Sequence, residues 1–157
     1  MDIMHTSITK MFIAPCFWAA CAAWTVAQLT KMLCGFVRTR RLDFSYIAST
    51  GGMPSAHSAM VSGLATSVGL TCGFSSVIFI VALAFALIVM FDASTVRRAA
   101  GMQARLLNEI VDELFKEHRF AEEKLAELLG HTRLEVFMGM VVGILIGMLI
   151  CSIAVLI

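Results

Sequence analysis

The feature that most limits this chain is the confinement of its ionised side chains to three stretches. Nearly all of them fall within residues 1–10, 31–43 and 92–135, and the sequence between and after these is close to uncharged. A mean hydropathy of +0.88 over 157 residues, with 11 Phe and 11 Met, leaves far more apolar surface than one small core can hide from water. The solvent for that surface is then lipid, and charge marks where the chain leaves the bilayer. With 59% apolar residues, 15% charged and two prolines, the composition also excludes disordered, collagen-like and disulfide-scaffold chains.

The reading that follows is an all-α integral membrane protein. It has a single membrane domain over 1–157, a helical bundle of about four transmembrane helices at 11–33, 57–73, 74–91 and 135–157. The first run is long and continues past Lys31, which fits a retained span better than a cleaved signal segment. The second and third are separated by Gly73, Phe74, Ser75 and Ser76 and read as a helical hairpin. The last carries Gly139, Gly143 and Gly147 at four-residue steps, a smooth face that another helix can approach closely. Leu107, Ile110, Val111, Leu114 and Phe115 recur at helical spacing among Glu109, Asp112 and Glu113, which predicts an amphipathic insert over about 95–129. Four spans put 38–55 and 92–135 on one membrane face. That face holds Arg38, Arg40, Arg41, Arg97, Arg98, Arg105, Lys116, Arg119, Lys124 and Arg133, so the positive-inside rule makes it cytoplasmic.

The five cysteines, Cys16, Cys21, Cys34, Cys72 and Cys151, lie in or beside apolar runs without a C-x-x-C pair, and read as small buried residues rather than a metal or redox centre. No nucleotide-binding glycine motif occurs. Basic residues are few, mixed with acids and set beside spans, so no nucleic acid is expected as a partner.

Four polar groups stand where a membrane protein has reason to avoid them. Lys31 and Arg38 are seven residues apart, on one face of a helix if it continues, and on spacing alone read more simply as basic anchors of a helix end. Gly51-Gly52-Met53-Pro54-Ser55-Ala56-His57-Ser58 leads into an apolar helix, with Ser55 as N-cap and His57 among free backbone N–H groups that suit an anion. His131 and Glu135 are four apart at the start of the last span. Thr132 and Glu135 form a capping box there, and the same carboxylate can orient the histidine and leave its other nitrogen as a nucleophile. Asp92, Arg97 and Arg98 stand at the foot of the third span, where paired arginines suit phosphate oxygens. The topology puts all four groups on one face. Together they carry what in-line phosphoryl transfer through a phosphohistidine needs, namely cations, a nucleophile and an acid for the leaving oxygen.

These motifs resemble the phosphatidic acid phosphatase type 2 and vanadium-dependent haloperoxidase superfamily, whose pattern is K-x6-R-P, P-S-G-H and S-R-x5-H-x3-D. GGMPSAHSA, FDASTVRRAAGMQARLLNE and LLGHTRLEVFMG are similar to its divergent bacterial and plastid branch, over almost the whole chain. The resemblance implies His131 as nucleophile, Glu135 as its orienting partner and His57 as the acid. It also implies Lys31, Arg38, Ser55 and one or both of Arg97 and Arg98 as the phosphate grip. Thr39, Ala56 and Glu135 replace the motif proline, glycine and aspartate, and Leu125 stands where the motif arginine falls. Giving that arginine's role to Arg97 or Arg98 requires the insert to fold back towards His131. Members of the superfamily usually have six spans, so four suggest a homodimer, with the Gly139, Gly143, Gly147 face as its seam.

The expectation is therefore a lipid phosphatase of the bacterial cytoplasmic membrane that uses no metal and no cofactor. It would act on a phospholipid phosphomonoester, phosphatidylglycerophosphate or phosphatidic acid, in the cytoplasmic leaflet. A lipid-phosphate binding or transport protein that does not hydrolyse its ligand is the main alternative. A magnesium-dependent transferase built on Asp92, Glu109, Asp112 and Glu113 ranks below both, because those acids read more simply as the solvated face of a helix.

Overall fold

The computed structural model describes residues 10–40, 52–114 and 131–156, and among these there are helices and no strands. The principal helices are α1 (Pro15–Thr39), α2 (Ala56–Cys72), α3 (Val77–Ser94), α4 (Val96–Leu114) and α5 (Arg133–Leu156). Local chemistry sets their ends. Pro15 opens α1, where its missing N–H is no loss, and Arg40 closes it in the left-handed region with its amide bonded to the Phe36 carbonyl at 2.7 Å. Ser55 and Ser76 cap α2 and α3 by accepting the Ser58 and Phe79 amide hydrogens. Ser76 also donates to the Gly73 carbonyl at 2.7 Å, which ties off the short turn between them.

Pro15–Val37, the nearly continuous run Val77–Val111 and Arg133–Leu156 are long and apolar enough to cross a membrane. At 17 residues, roughly 25 Å long, α2 is the short helix, and it is the centre of the bundle, packed against α1, α3 and α5. The bundle is small inside and large outside. Ala19, Ala23, Ala27, Ala59, Gly63, Gly139 and Gly143 are buried, whereas Ile13, Leu33, Val77, Ile88, Leu145 and Val155 are exposed. A fold made in water would be sorted the other way, so this is a bundle that keeps lipid outside by close backbone contact.

The closest contact is between α2 and α5, which run parallel. A Cβ at Gly139 would strike the Ser55 carbonyl oxygen, one at Gly143 the Ala59 carbonyl oxygen, and one at Gly147 would stand 2.9 Å from the Gly63 carbonyl oxygen. One turn further on, Ser67 Oγ and Cys151 Sγ are 3.0 Å apart across the same seam. The matched positions step by four on both helices, which lets the two backbones touch. Helix α1 runs antiparallel to α2, with Cys16 beside Thr71 and Ala23 beside Gly63. Helix α3 returns antiparallel on the other side, where Ser62 donates to Met90 Sδ at 3.8 Å.

The glycine face is thus used within one chain. The expectation that Gly139, Gly143 and Gly147 form a seam between protomers is corrected, because α2 already fills that face and leaves no room for a second helix. Of the amphipathic insert, residues 96–114 are helical and follow α3 after the single residue Thr95, while 115–129 lie outside the described residues.

Candidate functional site

The strand of small residues on each helix points to what stands at its end. On α1, buried Ala19, Ala23 and Ala27 are followed four residues later by Lys31, which is only 4% exposed. On α5 the Gly147, Gly143, Gly139 series runs back by the same step to Glu135 and then His131. On α2 the series Ser67, Gly63, Ala59 ends at Ser55. Since these three stripes face one another, their polar continuations converge at one end of the bundle.

Two backbone features fix that end. The Ser55 amide donates to the Glu135 carbonyl at 3.0 Å, joining the turn before α2 directly to the first turn of α5. Gly52 has φ +96°, a conformation that favours glycine, and a Cβ there would stand 3.4 Å from Cγ and Cδ of Lys31. The turn therefore lies on the stem of the lysine. Any larger residue at 52 would need a strained backbone, with its Cβ in van der Waals contact with Lys31.

His131 and Glu135 form the best defined pair. Nδ1 of His131 is 2.9 Å from Oε2 of Glu135, and His131 is 5% exposed. The same Oε2 accepts the Thr132 amide hydrogen at 3.0 Å, while the Glu135 amide donates to Thr132 Oγ1 at 3.3 Å. The capping box and the histidine bond coexist on one carboxylate. An ionised carboxylate only accepts, so against Glu135 in that form Nδ1 of His131 is the donor. These groups lie within electrostatic reach of one another: the Glu135 carboxylate of the Lys31 ammonium, and Arg97, His131 and Lys31 of His57. His57, on the first turn of α2, is exposed.

The remaining candidates are placed less uniformly. Ser55 is fully buried, and its Oγ accepts from both the amide and the hydroxyl of Ser58, at 3.4 and 3.0 Å. Arg97 Nε donates to Asp92 Oδ2 at 2.9 Å, across the Thr95 break between α3 and α4. Arg98 is exposed on α4, and the side chain of Arg38, two turns beyond Lys31 on α1, lies outside the described residues. The Ser58–Ser55 and Asp92–Arg97 bonds are not among the expectations from the sequence. A serine following a histidine in a first helical turn signals the first, but a pair five residues apart across a helix break has no periodic signature. Among the described residues no group of three or more His, Cys, Asp or Glu side chains could hold a metal ion.

The chain matches a family model described as the Divergent PAP2 family over residues 12–146. It is also 43% identical over 143 residues to the uncharacterized membrane protein YuiD of Bacillus subtilis (strain 168), covering 82% of this chain and 89% of that one. No solved structure matches. The lysine, the P-S-x-H turn and the H-x3-acid pair that converge at the end of the bundle all lie inside the matched span, and the chain belongs to the Divergent PAP2 family.

Proposed function

We propose that the chain is a membrane lipid phosphatase that hydrolyses a phospholipid phosphomonoester through a phosphohistidine, without a metal or cofactor. The observation that carries this reading is the buried His131 bonded through Nδ1 to Glu135, with Lys31 and His57 in electrostatic reach. In the first step Nε2 of His131 attacks phosphorus. The P–N bond forms as the bond to the lipid oxygen breaks, and His57 protonates the departing oxygen. In the second step His57 takes a proton from water, whose oxygen attacks phosphorus, and the P–N bond breaks to release inorganic phosphate. Lys31, Arg38 and Arg97 or Arg98 balance charge on the phosphoryl oxygens. Ser55 contributes by holding the turn before α2 to Glu135.

The reading extends to a single membrane domain in which α2 is the fourth and shortest span, and to a site on the cytoplasmic face of a bacterial membrane. The basic residues that follow α1 and α3 support that sidedness. The substrate on that face is phosphatidylglycerophosphate or phosphatidic acid. A homodimer, if formed, uses a surface other than the glycine face of α5.

The second reading is binding or transport of a lipid phosphate without hydrolysis. It is favoured by the Asp92–Arg97 ion pair, which engages the guanidinium that would otherwise meet the phosphate. Phosphate release from both lipids by purified protein in excess EDTA, compared with His131→Ala, separates the two. Release that survives EDTA and disappears in the variant supports the phosphatase, and absence of release from the wild type favours binding or transport.

A further inference from the structure

Helix α4 is sorted in the opposite sense to a helix on a soluble domain. Gly101 and Asn108 on one edge are its covered positions, while Leu106, Leu107 and Ile110 on the apolar face are 57, 49 and 43% exposed. Among the described elements it packs only against α3, so none of the other bundle helices covers that apolar face.

Length argues that α4 does not continue the span. The run Val77–Val111 has 35 residues, roughly 52 Å as one helix, against a hydrocarbon layer of about 30 Å. The 18 residues of α3 cover roughly 27 Å by themselves. Thr95 therefore falls near the membrane surface, and α4 starts there.

Two cations stand at its start. Arg97 and Arg98 lie in the first turn of α4, where the helix dipole disfavours positive charge. Arg97 is paired with Asp92 and Arg105 with Glu109, while Arg98 is exposed. An anion outside the chain offsets the unfavourable placement of Arg98. At the interface, the source of anions is the headgroup layer.

We propose that the apolar face of α4, through Leu106, Leu107 and Ile110, beds at the headgroup–acyl boundary of the leaflet next to the site, and that Arg98 holds it against anionic lipid. This surface delivers anionic lipid beside His57. It rests on the phosphatase reading only for the purpose of that delivery, because the docking itself requires no turnover.

The test is a nitroxide scan of residues 99–111 in the full chain, with native cysteines replaced, in vesicles of phosphatidylcholine alone or with an equal share of phosphatidylglycerol. The expected result is a helical oscillation in which the ratio of oxygen to nickel-chelate collision rates is several-fold higher at 106, 107 and 110 than at 105 and 109. Depth should stay constant along the helix, and increase when phosphatidylglycerol is present. Arg98→Gln should shrink that increase. Uniform access to the nickel chelate, low access to both reagents at 106, 107 and 110, or a depth that changes steadily along the helix would each overturn the proposal. In the chain with its cysteines intact, a photocrosslinker at Leu106 should capture lipid and one at Glu109 should not. Capture of protein from Leu106 would mean that a second copy or another segment covers the face. None of these readouts uses phosphate release, so failure of the phosphatase reading and failure of the docking surface are told apart.

Discussion

Oε2 of Glu135 accepts from two donors at once, Nδ1 of His131 at 2.9 Å and the Thr132 amide at 3.0 Å. The carboxylate that starts α5 is also the one that holds the histidine ring, so the helix and the proposed nucleophile share a single anchor.

That sharing separates charge from shape. Glu135→Gln keeps an oxygen for the Thr132 amide but removes the negative charge beside the imidazole. Unfolding in detergent should show a loss of about 1 kcal/mol or less, while phosphate release should fall at least about a hundredfold. Equal activity of the variant would dissociate Glu135 from the reaction.

His57 can be isolated by the leaving group. His57→Gln should lower release from a lipid phosphomonoester by about 10²–10⁴-fold, since an alkoxide needs a proton to depart. The first turnover of an aryl phosphate such as p-nitrophenyl phosphate, whose phenolate leaves unassisted, should lose much less, while later turnovers still need His57 as the base for water. A uniform loss in the first turnover of both substrates would assign His57 to phosphate binding instead of acid catalysis.

Lys31 is the buried cation of the site, at the end of the Ala19, Ala23, Ala27 stripe. Lys31→Met replaces an ammonium with an apolar chain of similar length, which fills the space but leaves the Glu135 carboxylate without a neighbouring cation. Phosphate release should drop about a hundredfold or more, and the midpoint of thermal unfolding should fall. Lys31→Arg should restore less than full activity, because a planar guanidinium does not reproduce a compact ammonium.

The seam between α2 and α5 predicts a mechanical effect. Gly143→Ala places a methyl group against the Ala59 carbonyl oxygen, and the parallel helices must part. Overpacking of this kind costs about 1–3 kcal/mol, measurable by steric trapping in bicelles. Activity should fall too, although residue 143 is two turns from Glu135, because the site rests on the Ser55–Glu135 backbone bond. A neutral effect on both would show that the seam does not set the site.

Much of this was readable in the sequence, and the boundaries of that reading are physical. The hairpin at Gly73–Ser76, the Ser55 cap and the Thr132–Glu135 box are local, so a few adjacent residues were enough. The Gly139, Gly143, Gly147 face was also visible, but a stripe does not name its mate. The mate lay in the same chain, in the matching step Ser55, Ala59, Gly63, Ser67, which a search for the four-residue period along every span would have found. The burial of Lys31 was legible in the same way, as the next step after three alanines. The Asp92–Arg97 pair was not, since it crosses a helix break and no repeat predicts what lies on the far side of one.

The outward sorting of large side chains has a thermodynamic consequence. Helices already immersed in lipid remove little apolar surface from water when they come together, so their association lacks the hydration signal that gives soluble proteins a large positive heat capacity of unfolding. Separation of these helices within a bilayer should then follow an almost linear dependence of free energy on temperature. Where a water-soluble domain of this size passes through a stability maximum and weakens again on cooling, the Ala, Gly and Ser seam should only tighten.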